Sequence, residues 1–372
     1  MRAHPEVPFF CAQGAAFGVD LSACLKQVLD SGRFVLGPQV HDFEAAFARY
    51  VGVPHTIGVA NGTDALELAL RALQVGPGAR VVTVANAGFY ATTAIAQVGA
   101  QPVYADVEPD SLTLSADALD AALRSGPVAA VVVTHLYGQM ADMARLFEVC
   151  RDAHVPLIED CAQAHGATLD GRRAGAWGAL GCFSFYPTKN LGALGDGGAV
   201  VTADAALAER VRALRQYGWA RKYHVAQAGG GNSRLDELQA AVLLAKLSRL
   251  DAANAERRAI AARYSEAFAD LPLNCPPTLG ADAVAHLYVV RNPQRAALQA
   301  HLHAAGVASD IHYPVPDHRQ PVSVGRDMPT LPVTEAACAQ VLSLPCYPGL
   351  SMAQQAQVIA AVRGFFYRLA PC

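Results

Sequence analysis

The sequence predicts an α/β fold with a large, mostly parallel sheet followed by a smaller α/β domain. Between about residues 60 and 200, short β-branched runs alternate with amphipathic helical segments, which is the pattern of successive βαβ units. The runs are almost wholly apolar, as expected of strands buried on both faces. The chain has 372 residues, of which 52% are hydrophobic and 16% charged, so it is long enough for two domains.

Seven segments are predicted as strands of the large domain. They are residues 56–60, 81–84, 102–105, 128–134, 155–159, 180–186 and 198–202. The amphipathic segments between them are predicted as helices that cover both faces of the sheet. These segments are residues 93–99, 117–124 and 142–154.

A long Ala/Leu-rich stretch, residues 236–269, is predicted as helical and ends before Pro272, because proline cannot continue a helix. We place a domain boundary at this helix. The large domain is then residues 1–254, and the small C-terminal domain is residues 255–372. The strands and helices predicted for the small domain are residues 285–291, 294–305, 307–311 and 334–342.

Charge and composition exclude several classes of protein. The chain has 29 basic and 32 acidic residues and no basic run, so nucleic acid is not an expected partner. No apolar stretch approaches the ~20 residues that a membrane span requires, and no signal peptide is recognisable. The nine cysteines include no C-x-x-C pair, which predicts reduced thiols in a cytoplasmic protein and no zinc site.

Polar residues follow three of the predicted strands, where ligands bind in open α/β sheets. Asn61-Gly62-Thr63 precedes a helical segment, and the free N–H groups of a helix N-terminus bind anions such as phosphate. Asp160 and Gln163 follow a buried strand, where a carboxylate requires a positive partner such as a protonated pyridine nitrogen. Each feature alone could equally be an ordinary helix cap.

Lys189 follows the strand at 180–186, in a glycine-rich and largely uncharged loop. Desolvation of its amine would lower its pKa and allow an imine to form with an aldehyde. It is the only lysine between Lys26 and Lys222, although a lone loop lysine can also be a solvated surface residue. Phosphate donors, a ring acid and a reactive lysine, all at strand ends of one predicted sheet, together indicate a pyridoxal-phosphate (PLP) site.

Several segments resemble those of one enzyme family. They are residues 31–38, 60–66, 159–167, 184–192, 195–198, 232–241 and 311–316. Over nearly its whole length, the chain resembles the sugar aminotransferases of the DegT/DnrJ/EryC1/StrS family. That family has the PLP-dependent transferase fold type I of aspartate aminotransferase, with a large mixed or parallel sheet domain and a smaller C-terminal α/β domain. The resemblance implies that residues 1–254 bind PLP and that the chain forms a homodimer with shared active sites.

The resemblance also implies roles for individual residues. Lys189 would be the Schiff-base lysine and the proton shuttle, Asp160 would hold the pyridinium, and Gln163 would contact the ring or its phenolic oxygen. The matching motifs also supply candidates for binding the phosphate and the nucleotide-sugar. The phosphate would be held by Gly62, Thr63, Ser184 and, from the partner subunit, Asn232, and the nucleotide-sugar would lie near Arg33, His312, Tyr313 and His318.

One segment departs from the family pattern. Where the family has an aromatic residue that stacks on the cofactor ring, a direct alignment places Gly88. We predict that the neighbouring Phe89 covers the ring, with Tyr90 as the alternative.

The implied reaction transfers the amino group of L-glutamate, through PLP and pyridoxamine phosphate, to a nucleotide-linked keto sugar. A dTDP-linked 3-keto-6-deoxyhexose is favoured, and a UDP-2-acetamido-3-keto sugar is the alternative. Sugar dehydratases of the family have histidine at the lysine position, so Lys189 argues against that activity. A non-catalytic regulatory or scaffold protein of the same fold is the remaining alternative.

Overall fold

The computed structural model describes residues 6–11, 18–277, 280–325 and 327–367. Its α-helices are α1 (Leu21–Ser31), α2 (Pro38–Val51), α3 (Gly62–Ala72), α4 (Tyr90–Gln97), α5 (Ala116–Arg124), α6 (Met143–Asp152), α7 (Ala205–Leu214), α8 (Glu237–Leu247), α9 (Leu250–Ala267), α10 (Arg295–Ala304), α11 (Pro332–Gln340) and α12 (Met352–Tyr367). Short 3-10 helices span Leu136–Gly138, Asp317–Arg319 and Pro321–Ser323.

The β-strands are likewise numbered in the order in which they occur along the chain. They are β1 (His55–Val59), β2 (Arg80–Thr83), β3 (Gln101–Tyr104), β4 (Ala130–Thr134), β5 (Leu157–Asp160), β6 (Thr168–Leu169), β7 (Arg172–Arg173), β8 (Leu180–Ser184), β9 (Gly198–Thr202), β10 (Trp219–Arg221), β11 (His224–Val225), β12 (Tyr288–Arg291) and β13 (Val341–Leu344).

The central sheet has seven strands in the order β1-β9-β8-β5-β4-β2-β3. The pairs from β3 through β8 are parallel, and β9 runs antiparallel to both of its neighbours. The predicted α/β class with a large, mostly parallel sheet is therefore confirmed. Because β1, β5 and β8 point the same way, the loops after Val59, Asp160 and Ser184 emerge at one edge of the sheet.

Buried side chains lie on both faces of this sheet. One cluster contains Phe43 and Phe185, and a second contains Leu66 and Ile158. A third cluster joins α9, β12, β13 and α12 to Val7 near the N-terminus. The predicted domain boundary between residues 254 and 255 lies within α9 and stays a prediction.

The C-terminal part differs from the sequence prediction at three places. The helix predicted over 236–269 is two helices, because Arg249 N–H donates to the Lys246 carbonyl and tightens the turn between α8 and α9. In place of a strand over 307–311, single bridges join Val307 to Val7 and Asp310 to Ser343. The helix predicted over 334–342 ends at Gln340, since the next residues form β13 against β12.

Within the described parts of the chain, no helix is long and apolar enough to span a bilayer.

The Glu159 carboxylate ties the sheet to the loop that precedes β8. It is fully buried and accepts hydrogen bonds from the N–H groups of Gly175, Trp177 and Gly178 at 2.7–2.8 Å. His135 Nδ1 accepts from an N–H group, so its Nε2 carries the hydrogen and donates to Glu159 at 3.0 Å. Although His135, Glu159 and Cys161 offer ligand atoms within 4.8 Å of one another, the carboxylate is already satisfied by these four donors.

We expect Glu159→Gln to lower the free energy of unfolding by about 2–4 kcal/mol, because hydrogen bonds to a charged group contribute about 1.5–3 kcal/mol each and the amide turns a donor toward N–H groups. Urea unfolding of the cofactor-free protein, followed by circular dichroism, measures this change. The matched control is Glu266→Gln on the exposed side of α9, which should change stability by less than about 0.5 kcal/mol. Equal stability of the two variants would contradict the assigned role.

Candidate active site

A cavity of about 760 Å³ opens at the sheet edge where β1, β5 and β8 end. It brings together predicted residues from distant parts of the chain. Those that line it are Gly62, Thr63, Asp160, Gln163, Ser184, Lys189, His312 and Tyr313. The large sheet supplies one wall, and the segment before β13 supplies another.

The N-terminus of α3 forms one end of the cavity. The Asn61 side chain caps the helix by accepting from Asp64 N–H at 2.8 Å, while the N–H groups of Gly62 and Thr63 have no partner within the helix. A Cβ atom at Gly62 would lie 2.6 Å from the Ser184 Cβ, so glycine is required for the helix to approach β8 this closely. Free N–H groups and two hydroxyls at a helix N-terminus fit a phosphate group.

Asp160 and Lys189 are a buried acid and base that line the same cavity. Burial raises the pKa of Asp160, although the Ala162 N–H at 3.1 Å and the Lys189 charge oppose the shift. Burial lowers the pKa of Lys189 to about 8, although the Asp160 charge opposes that shift. About one tenth of the amine is thus a free base at pH 7 and about half at pH 8. Among the described residues, no cation is in direct contact with the carboxylate. This pair fits a pyridine ring whose protonated nitrogen meets Asp160 and whose aldehyde meets Lys189.

Gln163 and Tyr313 fix the side of the cavity beside Gly88. Gln163 Oε1 accepts from Tyr137 N–H at 2.6 Å, and its Nε2 donates to the Tyr313 hydroxyl at 3.3 Å. Gly88 has φ of 83°, and a Cβ atom there would lie 2.8 Å from the Tyr313 ring. Both the backbone conformation and the packing therefore require glycine at position 88. The Tyr313 ring occupies the space that a side chain at that position would need.

The other predicted residues lie outside the cavity lining of this single chain. Phe89 donates its N–H to Asp317 at 3.0 Å, and it is Tyr90 that lines the cavity, with its ring centroid 6.1 Å from that of Tyr313. Arg33 and Asn232 are exposed. His318 is buried, and its Nε2 lies 2.9 Å from Glu335.

Sequence reasoning missed two basic residues of the cavity. Arg257 lies on α9, and His286 precedes β12. His286 Nδ1 lies 2.9 Å from Asn190 Oδ1, and Asn190 Nδ2 donates to the Val284 carbonyl at 3.1 Å. The imidazole hydrogen is therefore on Nδ1. The sequence places Arg257 within a charged helix face, which is a pattern typical of solvent-exposed residues.

Comparison with known proteins gives consistent matches over the whole chain. The sequence model of the DegT/DnrJ/EryC1/StrS aminotransferase family matches residues 18–363. A dTDP-3-amino-3,4,6-trideoxy-alpha-D-glucose transaminase of Streptomyces venezuelae is 44% identical, covering 98% of this chain and 97% of the relative. A UDP-N-acetyl-3-dehydro-alpha-D-glucosamine 3-aminotransferase of Acidithiobacillus ferrooxidans is 42% identical, covering 91% of each chain. The structure of S. venezuelae DesV with a ketimine intermediate superposes with a TM-score of 0.95 at 44% identity, covering 98% of this chain and 100% of that one.

We expect half-maximal acylation of Lys189 near pH 8 in the cofactor-free protein, because burial lowers the pKa of its amine from 10.5 to about 8. Asp160→Asn should move the midpoint below that of the wild type, since the carboxylate favours the charged ammonium. Labelling with acetic anhydride and peptide mass spectrometry measure both midpoints. The exposed Lys222 is the internal control, and its profile should not differ between the two proteins. A midpoint that rises in Asp160→Asn would contradict the proposed pairing.

Proposed function

The chain belongs to the DegT/DnrJ/EryC1/StrS aminotransferase family, and we propose that it transfers an amino group from L-glutamate to a nucleotide-linked keto sugar with PLP as cofactor. The observation that supports this most is the buried amine of Lys189 in one cavity with the buried carboxylate of Asp160. Burial lowers the pKa of Lys246 to about 8 as well, so the pKa shift alone does not distinguish an enzyme from a scaffold. The enzyme is favoured because Lys189 shares one cavity with Asp160 and with the anion-binding turn at Gly62 and Thr63.

The protein groups have separate tasks in this reaction. PLP, when bound, supplies an aldehyde and a ring that accepts electrons. Asp160 would keep the ring nitrogen protonated, while Gly62, Thr63 and Ser184 would hold the phosphate. As a free base, Lys189 would remove the proton from the α-carbon of the amino donor. Because burial lowers its pKa, part of the lysine is ready for this step near pH 8.

We further propose a dTDP-linked 3-keto-6-deoxyhexose as the acceptor. The relative from S. venezuelae is named for a dTDP-3-amino sugar, which supports this choice. The relative from A. ferrooxidans is named for a UDP-linked sugar with its keto group at the same carbon, and it keeps the UDP alternative open. Both names agree on amination at C3 and differ in the nucleotide and in the substituents of the sugar, so an assay must vary these two features separately.

Asn232 supports a homodimer with shared sites. The side chain is exposed in the single chain and lies outside the cavity lining, although its motif matches the family's phosphate contact. A partner subunit would bring a second copy of Asn232 to the phosphate end of the cavity. Each site would then combine Lys189 of one chain with Asn232 of the other.

We expect the purified protein loaded with PLP to be yellow, and we expect glutamate to bleach the band. Subsequent addition of a keto sugar should restore the colour, because its amination returns the cofactor to its first form. Absorbance spectra recorded with matched dTDP- and UDP-linked 3-keto sugars identify the nucleotide from the faster recovery. A protein that takes up no PLP would contradict the enzyme assignment and favour the scaffold alternative. Lys189→Ala is the inactive control and should show no turnover.

We expect a mixture of Lys189→Ala and Asn232→Ala subunits, refolded together and assayed at limiting PLP, to recover about a quarter of wild-type activity. Random pairing makes half of the dimers hybrids with one intact site each. The matched control mixes wild type with the double variant Lys189→Ala/Asn232→Ala, in which each hybrid dimer has two damaged sites. Its activity should fall below the half expected from dilution alone. Activity equal to that half, with no recovery in the first mixture, would rule out shared sites.

A further inference from the structure

Arg257 is a buried cation in the wall of the cavity. Its side chain is 3% exposed, and the residue lines the cavity from α9. Nη1 donates to the carbonyl oxygens of Cys346, His286 and Ala285 at 2.6, 3.1 and 3.4 Å. Nε is enclosed and has no hydrogen-bond partner among the residues that the structure describes. Nη1 is therefore the only guanidinium nitrogen that donates to a residue the structure describes.

No carboxylate neutralises this guanidinium in the described part of the chain. The adjacent Glu256 accepts instead from the Gly349 N–H at 2.7 Å on the surface. Burial raises the pKa of the neighbouring Cys346 thiol to about 11, so that thiol stays neutral. Burial also lowers the pKa of Arg257, and Cys346 and Glu256 oppose that shift without forming an ion pair with the guanidinium. A buried and unpaired charge is costly unless a ligand supplies the opposite charge.

Arg257 and Lys189 act on the same part of the cavity. Burial and then the charges of Lys189 and Arg257 lower the pKa of His165 to about 3. Burial and the same two cations also lower the pKa of His286 well below its usual value. Hydrogen bonds link the segments that carry the two cations: Arg257 Nη1 donates to the His286 carbonyl at 3.1 Å, and His286 Nδ1 donates to Asn190 Oδ1 at 2.9 Å. Asn190 is the residue after Lys189. An anionic group bound at Arg257 would lie close to the position of the reactive amine.

We propose that Arg257 binds the α-carboxylate of the amino donor and thereby selects an amino acid as the nitrogen source. This inference rests on the proposed function and identifies the donor subsite of the same cavity. In an α-amino acid the carboxylate is bonded to the carbon that carries the amine, so an anion site near Lys189 matches its geometry. The diphosphate of a nucleotide sugar is separated from the keto carbon by several bonds and would lie farther from the lysine. A guanidinium is also the side chain best suited to carboxylate recognition.

The test separates the two half-reactions. Protein loaded with PLP is mixed with L-glutamate, and protein loaded with pyridoxamine phosphate is mixed with the keto sugar, each followed by absorbance. We expect Arg257→Lys to raise the glutamate concentration for half-maximal rate about 10- to 100-fold, since lost hydrogen bonds to a charged group have this effect. The dependence on keto sugar should change less than about 3-fold. Arg258→Lys, at the next position of α9 and outside the cavity lining, is the matched control.

Amide analogues of glutamate identify the carboxylate that is bound. The wild type should prefer glutamate over its α-amide, isoglutamine, by at least about 10-fold, and Arg257→Met should lose most of this preference because neither carboxylate nor amide then meets a cation. The preference for glutamate over glutamine, the γ-amide, should be unchanged. A loss confined to glutamine discrimination would overturn the assignment to the α-carboxylate.

Each of the other possible outcomes identifies a different role for Arg257 or contradicts the proposed function. A defect confined to the keto-sugar half-reaction would overturn the proposal in favour of a diphosphate site. Equal loss of both half-reactions, together with a lower thermal midpoint, would overturn it in favour of a structural role through the three carbonyl oxygens. If Arg257→Met does not fold, isoglutamine discrimination by Arg257→Lys decides the matter. Failure of the wild type to react with glutamate would contradict the proposed function itself, separately from the role of Arg257.

Discussion

The active site depends on keeping an amine and a carboxylate buried in one cavity without direct neutralisation. Burial acts on the two groups in opposite senses, since it raises the pKa of Asp160 and lowers that of Lys189, and each group limits the shift of the other. A cavity that stabilised both charges fully would have no affinity for a charged ring and no free amine to offer. Both pKa shifts thus arise because each charge offsets only part of the cost of burying the other in a low-dielectric environment.

The sheet makes this arrangement possible at little cost in backbone strain. Asp160 and Ser184 each end a strand, and the loop after Ser184 carries Lys189 back over the same edge. The strands beneath them are buried on both faces, so their ends are held firmly. Glu159, the residue before Asp160, is fixed by four donors on the strand's other side. Of these two neighbouring acidic residues, Glu159 is therefore held within the fold, while Asp160 lines the cavity in which we propose that it meets the cofactor.

The sequence could predict those features that depend on local order along the chain. The strands, the turn at Gly62 and Thr63 that we propose binds phosphate, and the positions of Asp160 and Lys189 follow from apolar runs and from the residues that end them. Contacts between distant segments could not be predicted in this way. Gly88 is explained by its positive φ and by the rings of Tyr313 and Tyr90 that pack against it. The left-handed backbone of Phe89 (φ 72°) precedes α4, and Tyr90 lines the cavity instead. Arg257 was overlooked because burial of one charged helix position leaves no periodic signal.

The cavity wall extends along almost the entire polypeptide, from Phe9 to Tyr347. During synthesis, the ribosome releases the sheet edge with Lys189 well before it releases Tyr313 and Tyr347. A nascent chain consequently has Lys189 and the turn at Gly62 and Thr63 while the opposite wall does not yet exist, so the amine is not yet buried as it is in the folded chain. Cofactor captured at that stage would remain open to water until the segments with Tyr313 and Tyr347 fold against the sheet.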